Sequence, residues 1–298
     1  MPSRLFRLVL FVAVAMGAWS TQAHAQFLTN VKLNKATYLT YEAVEATITI
    51  NNRSGTDIVM GGPNGMAWLA FEVINPAGNQ VPTIRLNSDE SIIFKAGASI
   101  SRKVLISDSY SFSEYGMYTI AASVYHPPSQ QYFISNKARA QFVDARPLDI
   151  PNLNFGVPPG LPGEGQIRKY ALSVLRDFDR SYLYVRLLEE RTGLKLATFS
   201  LGPCILVSAD PQVTVDRENK LHILFMAAPH IYAHVCVDTQ GKIIRRAYHR
   251  EIKSDRPELV VQADQTIGVV GGETYDPSAP VADNKPKGRS IRQRPPGL

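Results

Sequence analysis

The strongest constraint on this chain is a period of two. In EAVEATITI, residues 42–50, Val44, Ala46, Ile48 and Ile50 fall on one side and polar groups on the other. That is the pattern of a strand with one buried face. Asn51 to Gly55 then reads as a turn, Trp68 to Ile74 as a second strand, and NPAGNQ, 75–80, as its closing turn. Further strand patterns fall at 91–94, 101–106, 118–125 and 139–144. Short strands at this spacing, cut by Gly, Asn, Pro and Ser, predict an all-β sandwich over 26–146.

The second half repeats itself. Tyr184, an alternating strand, a polar turn and Gly193 return 48 residues later as Tyr232 through Gly241. Pro211 through Phe225 returns 46 residues on, with Val213, Val215, Leu221 and Ile223 matched by Leu259, Val261, Ile267 and Val269. A period in the forties is the size of a four-stranded propeller blade. Residues 167–273 hold only two such units and a fraction, and a closed propeller needs about four blades. The expectation is a repeat-built antiparallel module, either a small open sheet or sandwich, or a partial propeller completed by another chain. Between the halves, residues 145–166 contain five prolines and four glycines, so 147–166 is expected to be a semi-rigid spacer without regular structure.

The termini differ from both modules. Arg4 and Arg7, an apolar run from Leu8 to Trp19 and the small residues Ala23 and Ala25 predict a signal peptide over 1–25, cut before Gln26. No later apolar run is long enough to span a bilayer. The expected location is therefore periplasmic or secreted, at the cell surface. Residues 274–298 carry a formal charge of +3 and almost no apolar groups, and are expected to be disordered alone. Within them Lys285, Lys287, Arg289, Arg292 and Arg294 are candidates for an anionic surface or polysaccharide. Residues 26–146 carry only +1 and 147–273 balance at zero, which argues against a specific nucleic-acid surface.

Few side chains point to chemistry. Cys204 and Cys236 are the only cysteines, and an even pair in an exported chain predicts a disulfide. His230, His234 and Cys236 would share one face of a continuous strand, with His222 or His249 as outside ligands, but the first two stand about 13 Å apart on a strand. Ser208, Asp210 and His222 have the residue types of a hydrolase without the elbow that exposes a serine. DRENK at 216–220 and the pair Asp177 and Asp179 read as turns. Arg245, Arg246, His249, Arg250, Lys253 and Arg256 read as a solvated strand edge. No catalytic residue, metal or cofactor is expected. Tyr125, His126 and Tyr132, near one end of the first module, are candidate binding residues.

Two resemblances sit on these residues. NKATYLTYEAVEATITINN at 34–52, YGMYTIAASVY at 115–125 and ARAQFVD at 138–144 resemble immunoglobulin-like domains of macroglobulin-type and bacterial surface proteins. Tyr115, Gly116 and Tyr118 are similar to the tyrosine-bearing turn of such sandwiches, although no cysteine pair bridges the sheets and Trp68 is expected to meet an aliphatic core. VTVDRENKLHILF at 213–225 and YAHVCVDTQGKIIRRAY at 232–248 resemble hairpins of β-propeller blades. Such folds imply docking, spacing or adhesion and no reaction. The expected function is a noncatalytic exported structural or adaptor protein of a bacterial envelope or surface assembly, with a protein partner or self-assembly. The alternative is a carbohydrate-binding protein or carbohydrate-active enzyme that uses the second module as its platform.

Overall fold

The computed structural model describes residues 26–61, 67–84, 91–150, 153–206 and 210–278. The segment 1–25 expected to be a signal peptide lies outside them, as do residues 279–298. Regular structure among the described residues is β-strand apart from two short 3-10 turns, and no helix is long and apolar enough to cross a membrane. The chain divides into two compact units, Met1–Asp144 and Ala145–Leu298.

In the first unit, β1 (Phe27–Leu33), β3 (Glu45–Asn52) and β7 (Ser99–Leu105) form one antiparallel sheet in the order β1-β3-β7. A second sheet runs β2 (Thr37–Leu39), β10 (Ala138–Val143), β8 (Gly116–His126) and β5 (Leu69–Ile74), with β9 (Gln131–Ile134) also paired to β8. A small ladder joins β4 (Ile58–Met60) to β6 (Ile92–Phe94). The alternation that predicts the strands also sets their burial. Along β3, Ala46, Ile48 and Ile50 are buried while their neighbours are half-exposed. These side chains share one core with Trp68, Phe71, Tyr118, Ile120 and Phe142. That core is more aromatic than the expected aliphatic one. Phe142 lies against Phe112 at 5.1 Å, Tyr38 at 5.4 Å and Tyr118 at 4.8 Å, so rings supply the cross-linking that a disulfide gives elsewhere.

The second unit begins inside the expected spacer. Its strands are β11 (Arg146–Pro147), β12 (Leu153–Gly156), β13 (Ile167–Asp177), β14 (Arg180–Glu189) and β15 (Lys195–Cys204), then β16 (Gln212–Val215), β17 (Leu221–Ala228) and β18 (Ile231–Val237). They continue as β19 (Ile243–Arg250), β20 (Glu258–Val261), β21 (Ile267–Val270) and β22 (Glu273–Tyr275). One sheet has the order β11-β13-β14-β15 with β12 on β13; another has the order β16-β17-β18-β19-β22; β20 and β21 pair alone. The spacer expectation is corrected here, because β11 and β12 both pair with β13 and Phe155 stacks on Tyr170 at 4.5 Å. The apolar Leu153 and Phe155 outweigh the surrounding prolines, of which Pro147 lies within β11 and Pro158, Pro159 and Pro162 in the loop before β13. Tyr170, Leu183, Val185 and Leu187 from one sheet and Leu221, Ile223, Phe225, Val235 and Val237 from the other bury into a single cluster. The two open sheets thus bury apolar faces in one core.

Several hairpin turns of this unit share one geometry, among them that at 262–266, which the 46-residue repeat aligns with 216–220. At Asp216–Lys220 and at Asp238–Lys242 the first amide donates to the fifth carbonyl at 3.0 and 2.9 Å, and the fourth donates back to the first at 3.0 Å. Oδ1 of each aspartate accepts the third and fifth amides. The fourth residue is left-handed, Asn219 at φ 62° and Gly241 at φ 83°, the conformation that closes such hairpins. A Cβ on Gly241 would stand 3.4 Å from Phe199 and 3.5 Å from Ala197. Gly241→Ala is expected to lower stability by about 1 kcal/mol. Asn219→Gly relieves the left-handed backbone but removes the bond from Nδ2 to the Gly156 carbonyl at 3.1 Å, so it should change stability by less than about 0.5 kcal/mol. Urea midpoints at equal slope check both.

Candidate functional site

A cleft of 580 Å³ opens in the second unit where its repeated turns meet a proline-bearing loop. One wall is Pro158, Pro159 and Leu161, between β12 and β13. The other is Arg217 to Lys220 from the first turn and Asp238 to Gln240 from the second. Sequence alternation puts Tyr170 into the core and its hydroxyl at the rim. That hydroxyl is 2.9 Å from the Asp238 carbonyl and 3.2 Å from the Asn219 carbonyl, so its single proton serves both turns. Burial pushes the Tyr170 phenol far above its ordinary pKa, which keeps it a donor.

Arg168 ties the walls together from beneath. It is 7% exposed. Its Nη1 donates to the Thr239 carbonyl at 3.1 Å and to Gln240 Oε1 at 3.4 Å, and its Nη2 to the Pro162 carbonyl at 2.8 Å. Its Nε and the Gln240 Nε2 are buried without a partner among the described residues. Sequence reasoning did not single out Arg168, Tyr170 or Gln240, because an arginine at a strand start carries no signal of burial.

Behind the first turn lies a buried polar chain. His222 and His234, on neighbouring strands, turn away from the shared core on the face opposite Ile223 and Val235. His222 Nε2 is 3.2 Å from Asp216 Oδ2, and His222 Nδ1 is 3.1 Å from His234 Nε2. An ionised carboxylate only accepts, so the consistent order has His222 Nε2–H donating to Asp216 and His234 Nε2–H donating to His222 Nδ1. Cys236 Sγ lies 3.6 Å from His222 Nε2. Burial raises the thiols of Cys236 and Cys204 to about 11, which disfavours the nucleophilic thiolate. Among the described residues, no group of three or more His, Cys, Asp or Glu has the arrangement to hold a metal ion.

The expected disulfide is corrected. Cys204 and Cys236 are both free and buried. Cys204 packs into the core between the sheets, whereas Cys236 alternates with the core residues Val235 and Val237 and so points to the other face. A side chain facing the core from one sheet and a side chain on the outer face of the other sheet do not reach bonding geometry. His230 also departs from expectation. It is left-handed at φ 60° in the turn before β18, exposed, and 3.4 Å from Glu251 Oε2, so it shares no strand face with His234. Ser208 lies outside the described residues, and His222 is engaged with Asp216 while Asp210 is exposed. Of the basic run, Arg250 lies over Tyr275 at 4.6 Å and Arg256 over Tyr232 at 5.3 Å.

In the first unit Tyr125 and Tyr132 are directly opposed across β8 and β9, with rings 5.0 Å apart. His126 does not join them. It is buried, edge-on to Phe27 at 4.8 Å and bonded through Nδ1 to the Ser129 hydroxyl. The alternation of β8 turns it to the core, and burial lowers its pKa. Lys285, Lys287, Arg289, Arg292 and Arg294 lie outside the described residues.

These features define an all-β protein of two multi-sheet units, the first sandwich-like. No family model matches the chain, and no curated protein matches it. Among solved structures, the chain is similar to the sporulation control protein Spo0M from Bacillus subtilis at 10% identity and a TM-score of 0.28. The likeness covers 60% of this chain and 91% of that one, and it is too slight to carry an argument.

Proposed function

We propose that the chain is a noncatalytic exported structural or adaptor protein serving a bacterial envelope or surface assembly, and that its first unit is an immunoglobulin-like sandwich that docks a protein partner. One observation carries this reading. On the outer face of the β8–β9 hairpin, Tyr132 is 58% exposed and Ile134 is 62% exposed, beside Tyr125 and opposite Ser123. Aromatic and aliphatic groups held in register on a rigid hairpin are the anchors of a docking face. The Tyr118 hydroxyl, which accepts the Glu114 amide at 3.1 Å, supports the immunoglobulin-like reading, since it fixes the entry to β8 as a tyrosine-bearing turn does.

The test is light scattering over a concentration series, together with gentle co-purification, on the chain from Gln26. Tyr132→Ser with Ile134→Ser is expected to weaken the association by at least about tenfold while costing the fold no more than about 0.5–1.5 kcal/mol, the contribution of the Tyr125–Tyr132 ring pair. A parent chain that stays monomeric and brings down no defined partner sinks the reading.

A further inference from the structure

The geometry points to the cleft of the second unit as a binding site for an acidic peptide segment, with its carboxylates met by Arg217 and the field of Arg168. The assignment rests on reading the chain as a binding protein, but it uses a contact in the other unit, so the two stand or fall by different variants.

The chemistry of the cleft is one-sided. Much of its acceptor capacity is engaged, leaving Asp238 Oδ2 and Glu218 Oε1. Asp216 Oδ1 takes the amides of Glu218 and Lys220, and Asp238 Oδ1 takes those of Gln240 and Lys242. Glu218 pairs with Lys220, and Gln240 Oε1 accepts from Arg168. The donors are not used up. The backbone amides of Arg217 and Thr239 have no partner among the described residues, and neither does Gln240 Nε2. No carboxylate lies within ion-pair distance of Arg168 or Arg217 among the described residues, although Asp264, whose carboxyl pKa is lowered chiefly by hydrogen bonds from Thr266, is near enough to Arg217 for that charge to help lower it. A buried guanidinium that meets only neutral carbonyls leaves its charge uncompensated, and a low-dielectric wall focuses that field into the opening above it.

A ligand that fits must bring acceptors and negative charge. Sugar hydroxyls each need an acceptor as well as a donor, and the cleft has few acceptors to spare. An acidic peptide supplies backbone carbonyls for the turn amides, carboxylates for the arginines, and aliphatic stems for Pro158, Pro159 and Leu161.

The probe is a fluorescein-labelled hexapeptide of alternating Glu and Gly, read by polarisation at low salt against its Gln analogue and against an oligogalacturonate of equal charge. The Glu peptide is expected to bind at least about tenfold tighter than the Gln peptide. Arg217→Glu, on an exposed turn, should weaken it by about tenfold or more, whereas Lys253→Glu should not change it. Equal binding of the two peptides, an unaffected Arg217→Glu variant, tighter binding of the oligogalacturonate, or no binding of the Glu peptide would each overturn the assignment.

Discussion

Lowering the pH from 7 to 4 is expected to remove about 3 kcal/mol from the stability of the second unit through one side chain, His234. That imidazole is 2% exposed. Burial, and then the neighbouring His222, Arg245 and His249, push its pKa from 6.5 down to about 4. In the unfolded chain it is solvated and titrates at its ordinary value. Between 6.5 and 4 the unfolded chain therefore binds a proton that the folded chain refuses. Stability is complete above 6.5, falls as the pH drops through this window, and has lost its full share near 4. The gap between the two values, at about 1.4 kcal/mol per tenfold, sets the size.

The surroundings offer no compensation. His222 meets His234 from β17, Cys236 neighbours it on β18, and Arg245 and His249 face it from β19. The one carboxylate nearby, on Asp216, is spent on the far side of His222. His249 is itself lowered, by burial and by Arg245, and shifts stability in the same direction. Urea unfolding of the parent and of His234→Gln at pH 7, 5.5 and 4 tests the assignment. The glutamine amide can keep the hydrogen bond to His222 but takes no proton, so the variant should lose less than half as much on acidification. A variant as acid-sensitive as the parent would show that His234 is not the titrating group.

How much of this was legible depends on which face is asked about. Alternation located β3, β5, β6, β7, β8 and β10 of the first unit, and left β1, β2, β4 and β9 unassigned. It also located the turns at 216–220 and 238–242, although the repeat aligned them with 262–266 and 190–194 and not with each other. The same rule fails on β17 and β18, where Leu221 to Phe225 and Tyr232 to Val237 are buried on both faces. A strand covered twice has no polar side to mark its register, so nothing in HILFM or IYAHVC announces that His222 sits opposite Cys236 and one step from His234. The disulfide expectation rested on counting cysteines. Parity with Val235 and Val237 already turned Cys236 away from the core, but Cys204 follows a register shift in β15, and its face is not readable from spacing. The cleft was hidden for another reason: its near wall lies in the segment whose prolines argued for a spacer, and only the pairing of Leu153–Gly156 with β13 brings that wall to the turns.

Replacing Arg168 with methionine is expected to cost the second unit about 3 kcal/mol. Methionine keeps much of the stem and its packing, so the loss isolates the guanidinium. Without it the buried Thr239 carbonyl loses its donor, at about 1–3 kcal/mol, and the Pro162 carbonyl, on an exposed residue, loses a partly buried bond. Arg168→Lys should recover only part, because one compact ammonium replaces a fork whose two ends serve different walls. Tyr170→Phe, which removes one shared proton, should cost about 1 kcal/mol. Denaturant unfolding gives the order, and limited proteolysis gives the location, since a released wall should be nicked first between residues 157 and 166. A methionine variant within about 0.5 kcal/mol of the parent would mean that water satisfies those carbonyls and that Arg168 holds nothing. The same variant separates support from recognition. Arg168→Met should weaken both the fold and the binding of the Glu peptide, whereas Arg217→Glu should weaken binding alone, because its side chain lies exposed on the turn and no hydrogen bond of the described residues depends on it.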